Sequence, residues 1–128
     1  MSFEKHYVKV FYNIKFLGVE IKWEGYANDN EYKEALNEAF KIISAKKCTR
    51  WLSDMTNGKA VSNEANQWVK TIFIPKVIHQ GVKKAAFIMA KDIFRKMSAN
   101  SLKTVIDSHN VELQYFDNRI AAENWLKK

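Results

Sequence analysis

Apolar residues recur along this chain with two different periods, and the changes of period mark its elements. Val8, Val10 and Tyr12 share one face of the segment Tyr7 to Tyr12. Leu17, Val19, Ile21 and Trp23 then alternate with Gly18, Glu20, Lys22 and Glu24. Period two predicts half-buried strands, and the turn candidate Asn13 to Phe16 between them predicts an N-terminal hairpin. The period changes after Gly25. Asn28 followed three residues later by Glu31 has the form of a capping box, in which side chain and backbone cap each other. Behind it Tyr32, Ala35, Leu36, Ala39, Phe40 and Ile43 fall on one helical face, with Lys33, Glu34, Asn37, Glu38 and Lys41 on the other. A stripe of that width needs a second layer to cover it.

The same alternation continues to the end of the chain. Thr49 to Met55, with Trp51 and Leu52 at its centre, predicts a strand that Thr56-Asn57-Gly58-Lys59 breaks. Ser62 is a good N-cap for a helix carrying Ala65, Trp68, Val69, Ile72 and Phe73. Pro75 removes a backbone donor and disfavours helical geometry at Ile74, so this helix is expected to stop or kink there. Ala85 to Ala90 is apolar at every position, which suits a central strand covered on both faces. A helix with Phe94, Met97, Leu102, Val105 and Ile106 inward is expected next. An outer strand with Val111, Leu113 and Tyr115 inward follows, and then a last helix capped by Asp117 and carrying Ala121, Ala122, Trp125 and Leu126. The order β-β-α-β-α-β-α-β-α predicts an α/β fold. The expectation is one domain over residues 1–128, with about five strands in a mostly parallel sheet, an antiparallel N-terminal edge strand and about four helices.

Composition sharpens this picture in three places. A chain of 128 residues buries roughly two-thirds of its unfolded surface, enough for a core without metals or disulfides. Cys48 is the only cysteine, so no intrachain disulfide forms, and beside a strand it reads as a small buried hydrophobe. The start, Met1 to His6, lacks the apolar stretch of a secretion signal, and no run approaches the ~18 apolar residues of a membrane span, which points to the cytoplasm. The formal charge is +7. Between Lys70 and Lys103 the bases Lys70, Lys76, Lys83, Lys84, Lys91, Arg95, Lys96 and Lys103 face Asp92 alone. Such asymmetry suits an anionic partner or a solvated face. Spread lysines favour the second, so nucleic acid ranks last among partners.

Strands that run in parallel bring their following loops to one edge, where ligands of open α/β sheets sit. Those loops carry Asp54, Thr56, Asn57, Gly58 and Ser62, then Lys91 and Asp92, then Asp117 and Asn118. Asp54 has three readings: an acceptor that holds its own loop, a cation ligand, or an acid/base. Asp92 and Asp117 have plain duties as helix caps. None of His6, His79 and His109 has a metal-ligand spacing to another His, Cys or carboxylate, so no metal or other cofactor is expected. The chain has no P-loop, dinucleotide-binding glycine pattern or Gly-x-Ser-x-Gly. Trp23, Trp51, Trp68 and Trp125 fall on core-facing positions, where they either fill the core or line an apolar pocket.

Trp23-Glu24-Gly25-Tyr26 before a capped helix, Trp51-Leu52-Ser53-Asp54, Pro75 and Lys84-Ala85-Ala86-Phe87-Ile88 also form a pattern, completed by Phe116-Asp117 and Ala121 to Leu126. The chain resembles small bacterial STAS-like proteins, the anti-sigma-factor-antagonist-like group structurally related to CRAL-TRIO domains. The resemblance implies a phosphorylated Ser or Thr in an Asp-Ser-Ser/Thr-Gly-like loop at the start of the second helix. The matching stretch here is Asp54-Met55-Thr56-Asn57-Gly58, which makes Thr56 and Ser62 the candidate acceptors and lacks the paired hydroxyls. The leading expectation is a non-enzymatic regulatory or binding module that meets a protein partner at the loop and helix after Asp54. An apolar-ligand or lipid-binding domain is the alternative. A small enzyme using Asp54 with Lys91 is the third.

Overall fold

Six strands form one sheet in the computed structural model, which describes residues 2–59, 61–96 and 111–128. They are β1 (Ser2–Lys5), β2 (Val8–Asn13), β3 (Gly18–Trp23), β4 (Arg50–Asp54), β5 (Lys84–Ile88) and β6 (Glu112–Phe116). Their order in space follows their order in sequence. β1, β2 and β3 pair antiparallel, and β3 to β6 are parallel. The strand not expected from the sequence is β1, which pairs Ser2 with Phe11 and Lys5 with Val8. Only Phe3 within it is even half-buried, so it has no period-two pattern to read.

The helices are α1 (Asp29–Lys46), α2 (Asn63–Trp68), α3 (Ile74–Gln80), α4 (Lys91–Lys96) and α5 (Arg119–Lys127). The capping box at the start of α1 is complete. Asn28 Oδ1 accepts from Glu31 N at 2.8 Å, and Glu31 Oε1 accepts from Asn28 N at 2.9 Å. Tyr32, Ala35, Leu36, Ala39, Ile42 and Ile43 are its buried face. None of these helices is long and apolar enough to cross a membrane.

Strand alternation divides the core into two layers. α1 to α3 cover one face, against Val8, Val10, Val19, Ile21, Trp23, Trp51, Ala85 and Phe87. α5 covers the other, where Ala122 and Leu126 pack on Leu52, Ala86 and Ile88 beside Phe16 of the hairpin turn. Burial on both faces is what the unbroken apolar run of β5 requires. Cys48 is buried as expected.

Four local expectations need comment. Of the stop or kink expected at Pro75, the stop does not occur: a π-helical turn (Val69–Phe73) interrupts the α-helical pattern and joins α2 to α3, and Ile74 is helical at φ −60, ψ −48. A π turn widens the backbone and shifts the carbonyl that the proline ring would strike, which lets helix continue through a residue that lacks a donor. Asp117 is not the cap of α5. Asn118 is, its Oδ1 accepting from Ala121 N at 2.8 Å, while Asp117 Oδ1 accepts from Asn118 Nδ2. Asp92 lies within the first turn of α4 rather than before it. Phe94, expected inward on that helix, is 37% exposed. Met97, Leu102, Lys103, Val105, Ile106 and His109 lie outside the described residues.

Of the glycines, Gly18 has the least room for a side chain, where β3 meets β4. A Cβ on Gly18 would stand 2.4 Å from the Arg50 carbonyl oxygen and 2.7 Å from Arg50 Cβ. Gly18→Ala is expected to cost about 1–3 kcal/mol through forced strand displacement. Chemical denaturation would check this through a lowered midpoint at unchanged slope.

Candidate functional site

Along β4, side chains alternate between the two layers. Trp51 points to the α1 layer and Leu52 to the α5 layer, and Asp54 shares the side of Leu52. There it meets Arg119, the first residue of α5. Arg119 Nη2 donates to Asp54 Oδ2 at 2.9 Å, and the same guanidinium forms a two-pronged pair with Glu20 of β3. Glu123, one turn further along α5, accepts from Nη1 at 2.9 Å. Asn13 Nδ2 holds Glu20 Oε1 at 2.9 Å, and Lys15 Nζ stands 4.0 Å from Glu123. Glu20 is 1% exposed and Asp54 6%. Hydrogen bonds to Glu20, and secondarily to the other two carboxylates, raise the Arg119 pKa above its ordinary value against the opposing effect of burial. The guanidinium is therefore a fixed positive charge that ties β3, β4 and α5 together.

The second oxygen of Asp54 serves the loop that follows. Asp54 Oδ1 accepts from Thr56 N at 3.1 Å, a turn closed by a side chain in place of a backbone carbonyl. Met55 N donates to Ile88 O at 2.8 Å, and Gly58 N donates to Met55 O at 3.2 Å. A Cβ on Gly58 would lie 3.1 Å from Trp23 Cβ, so the loop rests closely on that indole's base. Thr56 and Asn57 are exposed. Ser62 ends the loop as the N-cap of α2. Its Oγ accepts from Ala65 N at 3.0 Å and donates to Asp29 Oδ1 of α1 at 2.7 Å. The structure thus gathers Asp54, Thr56, Asn57, Gly58 and Ser62 into one connection. Lys91, the first residue of α4, and Asp117, between β6 and α5, are exposed, and neither hydrogen-bonds nor ion-pairs with Asp54.

A cavity of about 180 Å³ opens in the α1 layer, on the opposite side of the sheet from Arg119. Trp51 and Ser53 of β4, Phe87 of β5, Tyr32 and Leu36 of α1, and Val69 of the π turn are among its walls. Trp51 meets Phe87 and Phe73 edge-on, at 5.1 and 5.4 Å between ring centres. Trp51 is 2% exposed, and its Nε1 has no hydrogen-bond partner. Burial raises the Tyr32 pKa to about 12, so its phenol stays neutral. The tryptophans divide: Trp23 and Trp51 are buried in the core, Trp51 also lines the cavity, and Trp68 and Trp125 are half-buried against their core layers.

Glu20, Arg119 and Glu123 were not legible as a site. Glu20 occupies a polar position of an alternating strand, and 99 residues separate it from Arg119. One signal was present. An apolar β5 demands a helix on each face, and α5 is the helix left to cover the β3–β4 side where Glu20 points.

A model of the SpoIIAA-like family matches residues 19–127. The chain belongs to the SpoIIAA-like family. The match runs from β3 to the end of α5 and includes the Arg119 cluster, the β4–α2 loop and the cavity. An uncharacterized protein from Shewanella loihica with a SpoIIAA-like fold is similar over 98% of both chains, with a TM-score of 0.60 and 16% identity. That likeness shows the fold. No curated protein matches.

Arg119→Met would strand Glu20 in a buried position without its counter-charge. The expected cost is about 3 kcal/mol, at the low end for broken buried pairs because Arg119 itself is 35% exposed. Adding Glu20→Gln to Arg119→Met is expected to restore part of that loss. A double-mutant cycle measured by denaturant unfolding would check the coupling.

Proposed function

We propose that this SpoIIAA-like protein is a non-enzymatic regulatory module that binds a protein partner through the β4–α2 loop and the start of α2. One observation carries the reading: exposed Thr56 and Asn57 sit on a loop whose backbone is held from within by Asp54. Arg119 holds Asp54 in turn, and Ser62 ties the far end of the loop to Asp29. A surface fixed in this way loses little conformational entropy when a partner docks, which favours affinity without catalysis. Both oxygens of Asp54 are engaged, which also argues against acid/base work with Lys91.

Regulation by phosphorylation falls on Thr56 in this reading. Its side chain lies in the exposed part of the loop, whereas the Ser62 hydroxyl already donates to a carboxylate. A phosphate on Ser62 would face Asp29 and break the tie between α1 and α2. On Thr56 it would add charge to the docking surface and leave the fold in place.

Affinity capture from the native cells tests the proposal, using wild type, a Thr56→Glu/Asn57→Ala variant and a Lys127→Ala control at the far end of α5. The expected result is a specific protein whose recovery falls about tenfold with the loop variant, the loss of one well-placed contact, and is unchanged in the control. Phosphopeptide mapping is expected to find Thr56 and not Ser62. Capture that ignores the loop substitutions, or no specific protein at all, would overturn the docking claim. Modification of Ser62 in place of Thr56 would overturn the phosphorylation claim.

A further inference from the structure

Cations from separate segments of the chain meet at the end of the sheet opposite the β4–α2 loop. Gly18, Arg50, Lys84 and Glu112 form one row across β3, β4, β5 and β6, at the amino ends of those strands. Arg50 and Lys84 are engaged within the fold. They donate to the Leu126 and Trp125 carbonyls at the end of α5, and Lys84 also stands 3.7 Å from Glu112, the one carboxylate of the row. Around the row stand exposed lysines. Lys15 lies in the turn between β2 and β3, Lys46 and Lys47 end α1, and Lys83 immediately precedes β5. Lys46 Nζ is 5.5 Å from the Tyr12 ring centre, which brings the end of α1 to the end of β2. Lys15 has only Glu123 beside it, at 4.0 Å, and Lys46, Lys47 and Lys83 form no ion pair among the described residues.

The β2–β3 turn adds aliphatic surface at the same end. Ile14 is 77% exposed and Leu17 63%, while Phe16 between them is buried in the α5 layer. Burial does not explain the two exposed side chains, and backbone conformation does not either. Leu17 has φ 55, a left-handed position that Gly or Asn occupies with less strain. Lys47, at φ 52, ends α1 where Gly or Asn is the common residue. These are the two non-glycine residues with positive φ among the described residues, and both lie at this end. The fold accepts strain there to present one aliphatic and one basic side chain outward.

Lysines around a protruding aliphatic pair match an anionic bilayer, which attracts the charges and takes apolar tips into its headgroup–acyl boundary. A nucleic acid would satisfy the lysines alone and leave Ile14 and Leu17 in water. We propose that this end of the molecule docks on anionic membrane surfaces. Ile14 and Leu17 enter the interface, and Lys15, Lys46, Lys47 and Lys83 face lipid phosphates. Attachment of this kind needs no membrane-crossing helix. Seated this way, the protein presents the β4–α2 loop, at the carboxyl end of β4, away from the bilayer. The two surfaces are separate, so either reading can fail without the other.

Co-sedimentation with vesicles tests the proposal, using equal parts phosphatidylglycerol and phosphatidylcholine against phosphatidylcholine alone. Saturable binding to the mixed vesicles is expected, about tenfold or more tighter than to the neutral ones and weakened by added salt. Lys15→Gln with Lys83→Gln is expected to weaken it about twentyfold, since each lysine near such a surface contributes roughly fivefold. Ile14→Ser with Leu17→Asn is expected to weaken it about tenfold or more through lost apolar burial. That variant should unfold at an unchanged or higher denaturant concentration, because Asn suits the left-handed position. The Thr56→Glu/Asn57→Ala variant should bind vesicles as wild type does. Equal binding to both kinds of vesicle, no binding to the mixed ones, or full retention by the Ile14/Leu17 variant would overturn the proposal. So would tighter binding to duplex DNA at the same salt, which would assign the lysines to nucleic acid.

Discussion

The guanidinium of Arg119 is the contact on which the two halves of this molecule meet. It joins Glu20 from the N-terminal hairpin, Asp54 from the central strand β4 and Glu123 from its own helix. Three carboxylates share one positive charge, and Lys15 and Asn13 supply the remaining compensation at the edges. Buried charges of this kind are weak sources of net stability, because desolvation cancels most of the attraction. They are strong sources of specificity, because few other arrangements satisfy all the groups. Here they fix where α5 docks and which way Asp54 faces.

That constraint passes from the core to the surface in two bonds. Arg119 orients the Asp54 carboxylate, and Asp54 closes the turn at Thr56. The loop then reaches Ser62, whose hydroxyl connects it to the first turn of α1. The other side of β4 is built differently. Trp51 and Ser53 face the cavity of the α1 layer, and the Trp51 indole N–H has no hydrogen-bond partner among the described residues. One strand therefore carries a hydrogen-bonded ionic cluster on one face and an unpartnered indole N–H on the other.

Much of the architecture was legible in the sequence. The capping box of α1, the two-period hairpin and the doubly buried β5 were each fixed by local patterns strong enough to survive tertiary context. The errors have local causes as well. Pro75 suggested a stop or a kink, and the π turn that carries the helix past it leaves no mark in hydrophobic spacing. Asp117 and Asn118 are adjacent cap-forming residues, and only the backbone decides between them. β1 is a short, exposed edge that no pattern announces. At the site, Asp54 was recognisable because a carboxylate directly follows an apolar strand. Its partners were not, since ion pairs between β3 and α5 depend on register and helix placement, neither of which is a local property. The cavity was foreshadowed only as one of two roles for the tryptophans.

Arg119, through Asp54, holds the β4–α2 loop in shape. Native-state hydrogen exchange at the Thr56 amide reads that directly, because this N–H donates to Asp54 Oδ1. In Arg119→Lys, which keeps the charge but loses the planar fork, Thr56 is expected to exchange about tenfold faster, the worth of one charge-assisted hydrogen bond. Amides in the centre of α1 should keep their protection. Unchanged exchange at Thr56 in a variant whose Arg119 contacts are gone would contradict the account.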